Sequence, residues 1–127
     1  RQGHVGVKDA RRKLGQLGED LAIAQLRKQG YVIYERNYRC SGGEIDIVAQ
    51  DGECLVFVEV RTRRGREYGL PEESITPAKQ AKLIELAQTY VQENNWEGDW
   101  RIDVVAVEMN RAGKLLRVEV IQGAVGG

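Results

Sequence analysis

The spacing of hydrophobic and polar positions changes several times along this chain, and each change marks a different kind of element. Residues 9–29 carry apolar side chains every three to four positions, which predicts a helix that Asp9 caps and Gly30 ends. The apolar stripe expected on this helix consists of Leu14, Leu17, Leu21 and Ala24. The same helix contains three small residues, Gly15, Gly18 and Ala22. They predict close packing on a neighbouring backbone.

Three segments rich in β-branched and aromatic side chains come next and predict strands over residues 31–38, 44–50 and 53–61. Asp51 and Gly52 separate the second and third of these strands. A two-residue connection containing Asp-Gly is a strong signal for a tight β-hairpin. The two strands are therefore expected to pair antiparallel.

The second half of the chain predicts one more helix and two more strands. After a basic loop over residues 62–71, Thr76 and Pro77 fit the cap and the first position of a helix that ends near Asn94. The last two predicted strands cover residues 100–108 and 115–121, with a turn at 110–114 between them. The element order α, β, β, β, α, β, β predicts an α/β fold in which helices flank a central sheet.

The composition narrows the class of protein. A chain of 127 residues suits one domain over residues 1–127, in which residues 1–8 are expected to be flexible. Nineteen basic and nineteen acidic side chains cancel, so nucleic acid would have to be bound by local patches of charge. Two cysteines without metal-site spacing indicate reduced thiols, and no stretch approaches the roughly 20 apolar residues of a membrane span. We expect a cytoplasmic protein with no membrane partner.

The hairpin register decides whether two acidic side chains meet. With the two-residue turn described above, Glu44 lies opposite Glu59, and Asp46 becomes a diagonal neighbour of Glu59 at roughly 7 to 8 Å. Carboxylates placed this close repel each other unless a cation lies between them, and a divalent metal is the usual solution. A bulge would shift the pairing by one residue, which either brings the two acids closer or puts them on opposite faces.

Two further polar side chains are expected near this pair. Lys79 falls on an apolar face of the second helix, and Glu19 falls at the edge of the packed side of the first. Structural alternatives stay open for each acid and for the lysine. Glu59 also fits an ion pair with Arg61 or another arginine of the sheet, Glu19 a solvated helix position, and Lys79 a lysine that extends its ammonium group into water. For Asp103, a structural ion pair with Arg101 is favoured.

Several segments together resemble the bacterial YraN-like family, within the restriction-endonuclease-like PD-(D/E)xK nuclease superfamily that also holds archaeal Holliday junction resolvases. The matching segments are residues 15–19, 37–39, 43–46, 56–61 and 101–105. The resemblance implies an αβββαβ restriction-endonuclease-like core with a mixed sheet. It also implies Asp46 and Glu59 as ligands of Mg²⁺ or Mn²⁺, Glu19 as an auxiliary acid, and Arg61 at the position of the superfamily's lysine.

Arg61 is the departure from the superfamily pattern. A guanidinium stays protonated under working conditions, so it cannot act as a general base, although it can hold a phosphate. Three outcomes remain open: a metal-bound water ionises without lysine help, Lys79 substitutes, or the site binds without cutting. The expected mechanism has the metal held by Asp46, Glu59 and the Val60 carbonyl and lowering the pKa of an attacking water, while Arg61 and Lys79 clamp the phosphate.

A cluster of arginines follows the third strand and predicts contact with nucleic-acid phosphates. Its members are Arg61, Arg63, Arg64 and Arg66, and Arg12 of the first helix is expected to join them in lining a groove. The alternative is a solvated loop balanced by nearby glutamates. Three aromatic side chains are candidates for stacking on bases but fit the core or its rim as well: Tyr68, Trp96 and Trp100.

The residues therefore predict a metal-dependent endonuclease that hydrolyses phosphodiester bonds of structured DNA, of junction or flap type. The alternative is a nuclease-like module that binds nucleic acid or protein without cutting. A homodimer is possible in either case.

Overall fold

The computed structural model describes residues 7–126. The elements along the chain are α1 (Val7–Lys28), β1 (Val32–Cys40), β2 (Gly43–Asp51), β3 (Cys54–Arg64), a 3-10 turn (Pro71–Ser74), α2 (Pro77–Glu93), β4 (Trp100–Met109) and β5 (Leu115–Val125). Residues 7 and 8 belong to α1, which corrects that part of the predicted flexible segment. The rest of that segment, residues 1–6, lies outside the described residues.

The five strands form one sheet in the order β1-β2-β3-β4-β5. Every neighbouring pair is antiparallel except β3 and β4, which run parallel. Parallel neighbours need a crossover connection, and the 3-10 turn with α2 provides it here. The predicted α/β fold with a mixed sheet and a restriction-endonuclease-like core is confirmed.

The two helices cover opposite faces of the sheet, so the molecule has two hydrophobic cores. On one face α1 buries Ala22, Ile23 and Leu26 against the sheet, and on the other α2 buries Leu86 and Ala87. The central strands β3 and β4 are therefore covered on both faces, as their nearly continuous apolar sequences require, whereas β1 is largely exposed.

The predicted stripe of α1 is wrong in part. Leu17 is 45% exposed and Ala24 is exposed, while Leu14 and Leu21 are only partly buried. Gly18 faces the sheet instead, because a Cβ atom there would overlap the Thr62 hydroxyl oxygen. Close packing is thus confirmed at Gly18 and at the fully buried Ala22, but no atom of another element lies within 4 Å of the Cβ position at Gly15.

The ends of the helices follow local chemistry more closely. The Thr76 hydroxyl accepts a hydrogen bond from the Lys79 amide at 3.2 Å, and Asn94 follows the last residue of α2, as predicted. Asp9 is not a cap, because α1 already includes Val7. Its carboxylate instead pairs with Arg12 at 2.5 Å, one turn further along the helix.

The hairpin between β2 and β3 is shifted from the predicted register. Asp51 pairs with Cys54 and Gln50 with Leu55, so the turn residues are Gly52 and Glu53. As a strand residue, Asp51 forms an ion pair of 2.8 Å with Arg101 on β4. The shift is two residues, so the residues that pair in this hairpin keep their predicted faces, because side-chain direction repeats every two residues.

Two strands extend three or more residues past their predicted ends. β3 runs to Arg64, so the predicted loop 62–71 begins only at Gly65. The extra residues of β3 pair in parallel with β4, up to the pair Arg64 and Met109. β5 continues to Val125, four residues beyond its predicted end at Ile121. The added residues of β5 likewise pair with β4, up to the pair Ile102 and Val125.

Candidate active site where the second and third strands diverge

The site lies where β2 and β3 separate. Their ladder ends at the pair Ile47 and Val58, beyond which β3 pairs with β4 alone. Asp46 and Glu59 are the next residues on the two strands, so they stand opposite each other instead of diagonally. The open edge of β3 does not stay unpaired, since the Val60 amide donates a hydrogen bond of 2.9 Å to the Asp46 carboxylate. A side chain thus takes the place of the β2 backbone.

The direction of Asp46 depends on a break in the alternation of β2. Ile45 packs in the α2 core, whereas Ile47, two residues later, packs in the α1 core. The opposing residue of β1 is Asn37, which has a positive φ of 55°. Both strands therefore change face at this level, and the Asp46 carboxylate turns towards β3 instead of lying under a helix.

The carboxyl groups of Asp46 and Glu59 lie close enough for each to shift the pKa of the other. Burial, and next the negative charge of Glu59, raise the pKa of Asp46 to about 7. Burial also raises the pKa of Glu59, although the positive charges of Arg61 and Lys79 act in the opposite direction. At neutral pH such a pair retains a shared proton or takes up a cation in its place.

Glu19 completes the acidic surroundings without joining the pair. Its pKa is raised by burial and by the charge of Asp46, while Arg36 and Asn37 lower it through charge and hydrogen bonds. The Arg36 guanidinium lies 3.6 Å from the Glu19 carboxylate. Among residues 7–126, no three acidic, histidine or cysteine side chains are grouped closely enough to hold a metal together. Glu19 therefore lies beside the pair, held by β1.

An open cleft of about 770 Å³ surrounds the carboxylate pair. Glu19, Asp46 and Glu59 lie in it, and so do the basic side chains Arg11, Arg61, Arg63, Arg64 and Lys79. The structure thus brings together all five predicted catalytic residues. Acids surrounded by cations suit a ligand that carries negative charge and is itself bound to a metal.

Arg61 and Lys79 differ in what already holds them. An Arg61 nitrogen lies 2.8 Å from the Glu59 carboxylate, and its buried Nε atom has no hydrogen-bond partner within the described chain. Lys79 is exposed, and no ion pair within residues 7–126 involves it. Its charge nevertheless lowers the pKa of Glu59. Lys79 is consequently available to a ligand, whereas Arg61 is partly engaged.

Two of the predicted phosphate-binding arginines lie outside the cleft. Arg66 pairs through two nitrogens with the buried Glu108 and does not line the cleft, so its contact is structural. Arg12 pairs with Asp9 and also lies outside the cleft. Arg64 lines the cleft and donates to the Arg111 carbonyl at 3.0 Å. Arg63 has no ion pair within the described part of the chain.

The first helix contributes Arg11 where Arg12 was predicted. Arg11 lines the cleft together with Gly15 and Glu19. These residues are spaced by four positions, the interval that places side chains on one helical face. The four-residue spacing of these positions was therefore visible in the sequence, but using it to choose Arg11 required knowing which face of α1 lines the cleft.

The donor set of the cleft fits a hard divalent cation. Mg²⁺ in proteins is commonly held by one or two carboxylates, with water and phosphate oxygens as its other ligands. Asp46 and Glu59 supply two carboxylates whose mutual repulsion a cation would relieve. The predicted Mg²⁺ or Mn²⁺ is therefore compatible with these residues.

The fold and cleft define an α/β protein with a restriction-endonuclease-like core. Residues 18–107 match the family described as "Uncharacterised protein family UPF0102". A UPF0102 protein of Moorella thermoacetica is 50% identical over 115 residues, covering 90% of this chain and 96% of the relative. A second, from Pelotomaculum thermopropionicum, is 47% identical over 117 residues, with 91% and 98% covered. The chain belongs to the UPF0102 family, which confirms the YraN-like resemblance.

Among solved structures, the chain is similar to SfsA of Pyrococcus furiosus, determined in complex with Ca²⁺. The TM-score is 0.41 and the sequence identity 14%, and the match covers 88% of this chain and 63% of the other. Within residues 7–126, no helix combines the length and apolar character that crossing a membrane requires.

Proposed function

We propose that this protein is a Mg²⁺- or Mn²⁺-dependent endonuclease that hydrolyses phosphodiester bonds of structured DNA, of junction or flap type. The observation that carries the proposal is the pair of facing carboxyl groups, Asp46 and Glu59, in a cleft lined with cations. Two buried acids placed side by side where two strands diverge are costly unless a cation is bound between them. The family resemblance supports the same interpretation.

Each residue has a role in this mechanism. Asp46 and Glu59 would hold the metal, with the Val60 carbonyl as the further predicted ligand. A divalent ion there supplies Lewis acidity, which lets water act as a nucleophile near neutral pH. The Val60 amide keeps Asp46 oriented towards β3. Arg61 steadies Glu59 and, with the free Lys79, stabilises negative charge on the phosphate in the transition state.

The other cleft residues would bind and orient DNA. Arg11, Arg63 and Arg64 lie on two sides of the acids, from α1 and from the end of β3. Guanidinium groups at such positions contact backbone phosphates, which position a nucleic acid without reading its sequence. DNA would then be recognised by its shape, because phosphate contacts do not read sequence and the chain has no net positive charge to strengthen non-specific binding. Glu19 would act as an auxiliary acid that tunes Asp46.

The test combines metal binding with cleavage. Mn²⁺ binding is measured by calorimetry, and cleavage is followed on junction, flap, single-stranded and duplex DNA, for the unaltered protein and for Asp46→Asn and Glu59→Gln. Glu85→Gln serves as the control, since Glu85 is exposed on α2 and pairs with Lys82 outside the cleft. Both site variants should lose metal binding and cleavage, and the control should keep them. Absence of metal binding and of any cleavage by the unaltered protein would overturn the proposal.

A second candidate is a non-catalytic module that binds nucleic acid or protein. The ion pair of 2.8 Å between Arg61 and Glu59 favours it, because the guanidinium already supplies positive charge to an expected metal ligand. Arg61→Lys separates the two functions. For an enzyme it restores the superfamily's lysine and should preserve or raise cleavage. For a binding module neither protein cuts, while salt-dependent DNA binding remains.

Cytoplasmic location and a homodimer belong to the same proposal. Cell fractionation tests the first, and light scattering with and without DNA tests the second. A dimer would let two strands of a junction be cut symmetrically.

A further inference from the structure

Tyr68 is a large aromatic side chain left almost entirely in solvent. It is 82% exposed, more than any other large hydrophobic residue of the described chain, and it lines the cleft. No hydrogen bond or aromatic contact joins it to the rest of residues 7–126. An aromatic ring in this state offers a broad apolar face to a ligand.

The backbone that carries Tyr68 is nevertheless held firmly. Arg66 to Gly69 form a tight turn, closed by a hydrogen bond of 3.1 Å from the Gly69 amide to the Arg66 carbonyl. Arg66 is bound to the buried Glu108, and Glu67 pairs with Arg111 at 2.5 Å. Each of the two residues before Tyr68 thus has an ion pair of its own, Arg66 with a buried carboxylate and Glu67 with a surface arginine.

Two glycines fix the ends of this segment. Gly65 has a φ of +88° and donates to the Met109 carbonyl at 2.9 Å. Gly69 has a φ of +92°, and a Cβ atom there would lie 2.7 Å from a Glu73 carboxylate oxygen, which accepts from the Leu70 amide. Both positions require glycine, so the turn is shaped to present the side chain between them. A preorganised turn loses little conformational entropy when the ring is covered.

We infer that Tyr68 stacks on an unpaired nucleobase, so that the cleft takes a single-stranded segment adjoining a duplex. The inference rests on the proposed function and narrows its substrate class to flaps and strand ends. Phosphates have their partners in the same cleft, at Arg63 and Lys79, whereas Tyr68 offers a π-face without charge. Bases inside a duplex are already stacked on both sides, so this face is open to an unpaired base and closed to an interior base pair.

The test measures binding without cutting. Fluorescence anisotropy in metal-free buffer gives the affinity for single-stranded, flap and fully paired DNA, and 2-aminopurine in the single strand reports stacking through quenching. Tyr68→Ala should weaken binding of single-stranded and flap DNA by about tenfold or more, the usual effect of removing one base-stacking ring. Tyr68→Phe should keep both the affinity and the quenching, and Tyr68→Leu should lose the quenching.

Tyr34 provides a matched control. It is 50% exposed but lies outside the cleft and donates its hydroxyl to Gln50, so Tyr34→Ala should leave DNA binding unchanged. Unchanged single-strand affinity in Tyr68→Ala, an equal loss on paired DNA, or no DNA binding by the unaltered protein would each overturn the inference. Tyr68-dependent stacking without any metal binding or cleavage would support the inference while the endonuclease proposal fails.

Discussion

Two buried aspartates in this protein, Asp103 and Asp46, differ in the groups that surround their carboxylates. Asp103 is fully buried, yet Arg101 and the Tyr31 hydroxyl each donate to it at 2.8 Å and the Gly123 amide at 2.9 Å. Asp46 receives one amide and faces another acid, Glu59. The first carboxylate is satisfied by the fold itself, whereas the second belongs to the candidate site. Burial alone does not distinguish the two acids, but burial beside a like charge makes Asp46 the functional candidate.

The largest effect on stability is expected when the ion pair between Arg101 and Asp103 is removed. Arg101→Ala should lower the free energy of unfolding by about 3 to 5 kcal/mol, because it leaves the Asp103 charge buried without its cation. Urea denaturation followed by circular dichroism measures the change. Asp20→Ala is the control, since Asp20 pairs with Arg36 at the surface and should change stability by less than about 1 kcal/mol. Equal losses in the two variants would contradict the structural role of Asp103.

The next effect tests how tightly α1 is held beside the acids. Gly18→Ala should lower the free energy of unfolding by about 1 to 3 kcal/mol, because the new methyl group overlaps the Thr62 side chain. Gly15→Ala on the same helix is the matched control. It has open space and should raise stability by up to about 1 kcal/mol through helix propensity. A change of the same sign in both variants would show that Gly18 does not set the distance between α1 and β3.

Removing the charge of Asp46 should raise the free energy of unfolding at high pH, whereas removing Arg101 beside Asp103 should lower it. The pKa of Asp46 is raised in the folded state to about 7, so folding favours its protonated form and stability should fall as pH rises from about 4 through about 7. Asp46→Asn removes this fall and should be more stable than the unaltered protein at pH 8 by about 1 kcal/mol or more, without a gain at pH 4.

Thermal denaturation across pH, without metal, measures this difference. Mn²⁺ is the internal control, since a bound cation should protect the unaltered protein at pH 8 and have little effect on Asp46→Asn. Parallel pH profiles of the two proteins would contradict a repulsive pair at this site.

The smallest expected effects are on DNA binding, and they distinguish cleft cations without an ion pair in the described chain from a cation already paired with an acid. Lys79→Ala and Arg63→Ala should each weaken DNA binding and reduce the slope of log affinity against log salt by about one. Arg12→Ala should change neither, because Arg12 lies outside the cleft and pairs with Asp9. Anisotropy titrations at several salt concentrations give both quantities. A slope unchanged in the cleft variants would exclude them from phosphate binding.

Local sequence chemistry determined much of this protein. Thr76 and Pro77 predict where α2 begins, because a cap needs only its own turn. The pairing of Asp103 with Arg101 follows from their two-residue spacing on a strand. Their places on the two strands of a short hairpin brought Asp46 and Glu59 into one predicted site despite a wrong register, although the direction of Asp46 depends on the break in the alternation of β2. The fold class follows from the same short-range patterns.

Tertiary structure alone decided the rest, because it depends on contacts between residues far apart in the chain. The hairpin turn falls at Gly52 and Glu53, with Asp51 paired across the sheet to Arg101. The strand β3 extends through the predicted loop because β4 pairs with it, and Glu108 takes Arg66 away from any ligand. Local spacing indicates an ion pair between near neighbours such as Arg101 and Asp103, but not the pairing of Arg66 with Glu108, which is 42 residues away. The amino-acid types therefore identified the acids, and the three-dimensional arrangement decided which cations remain free to meet a substrate.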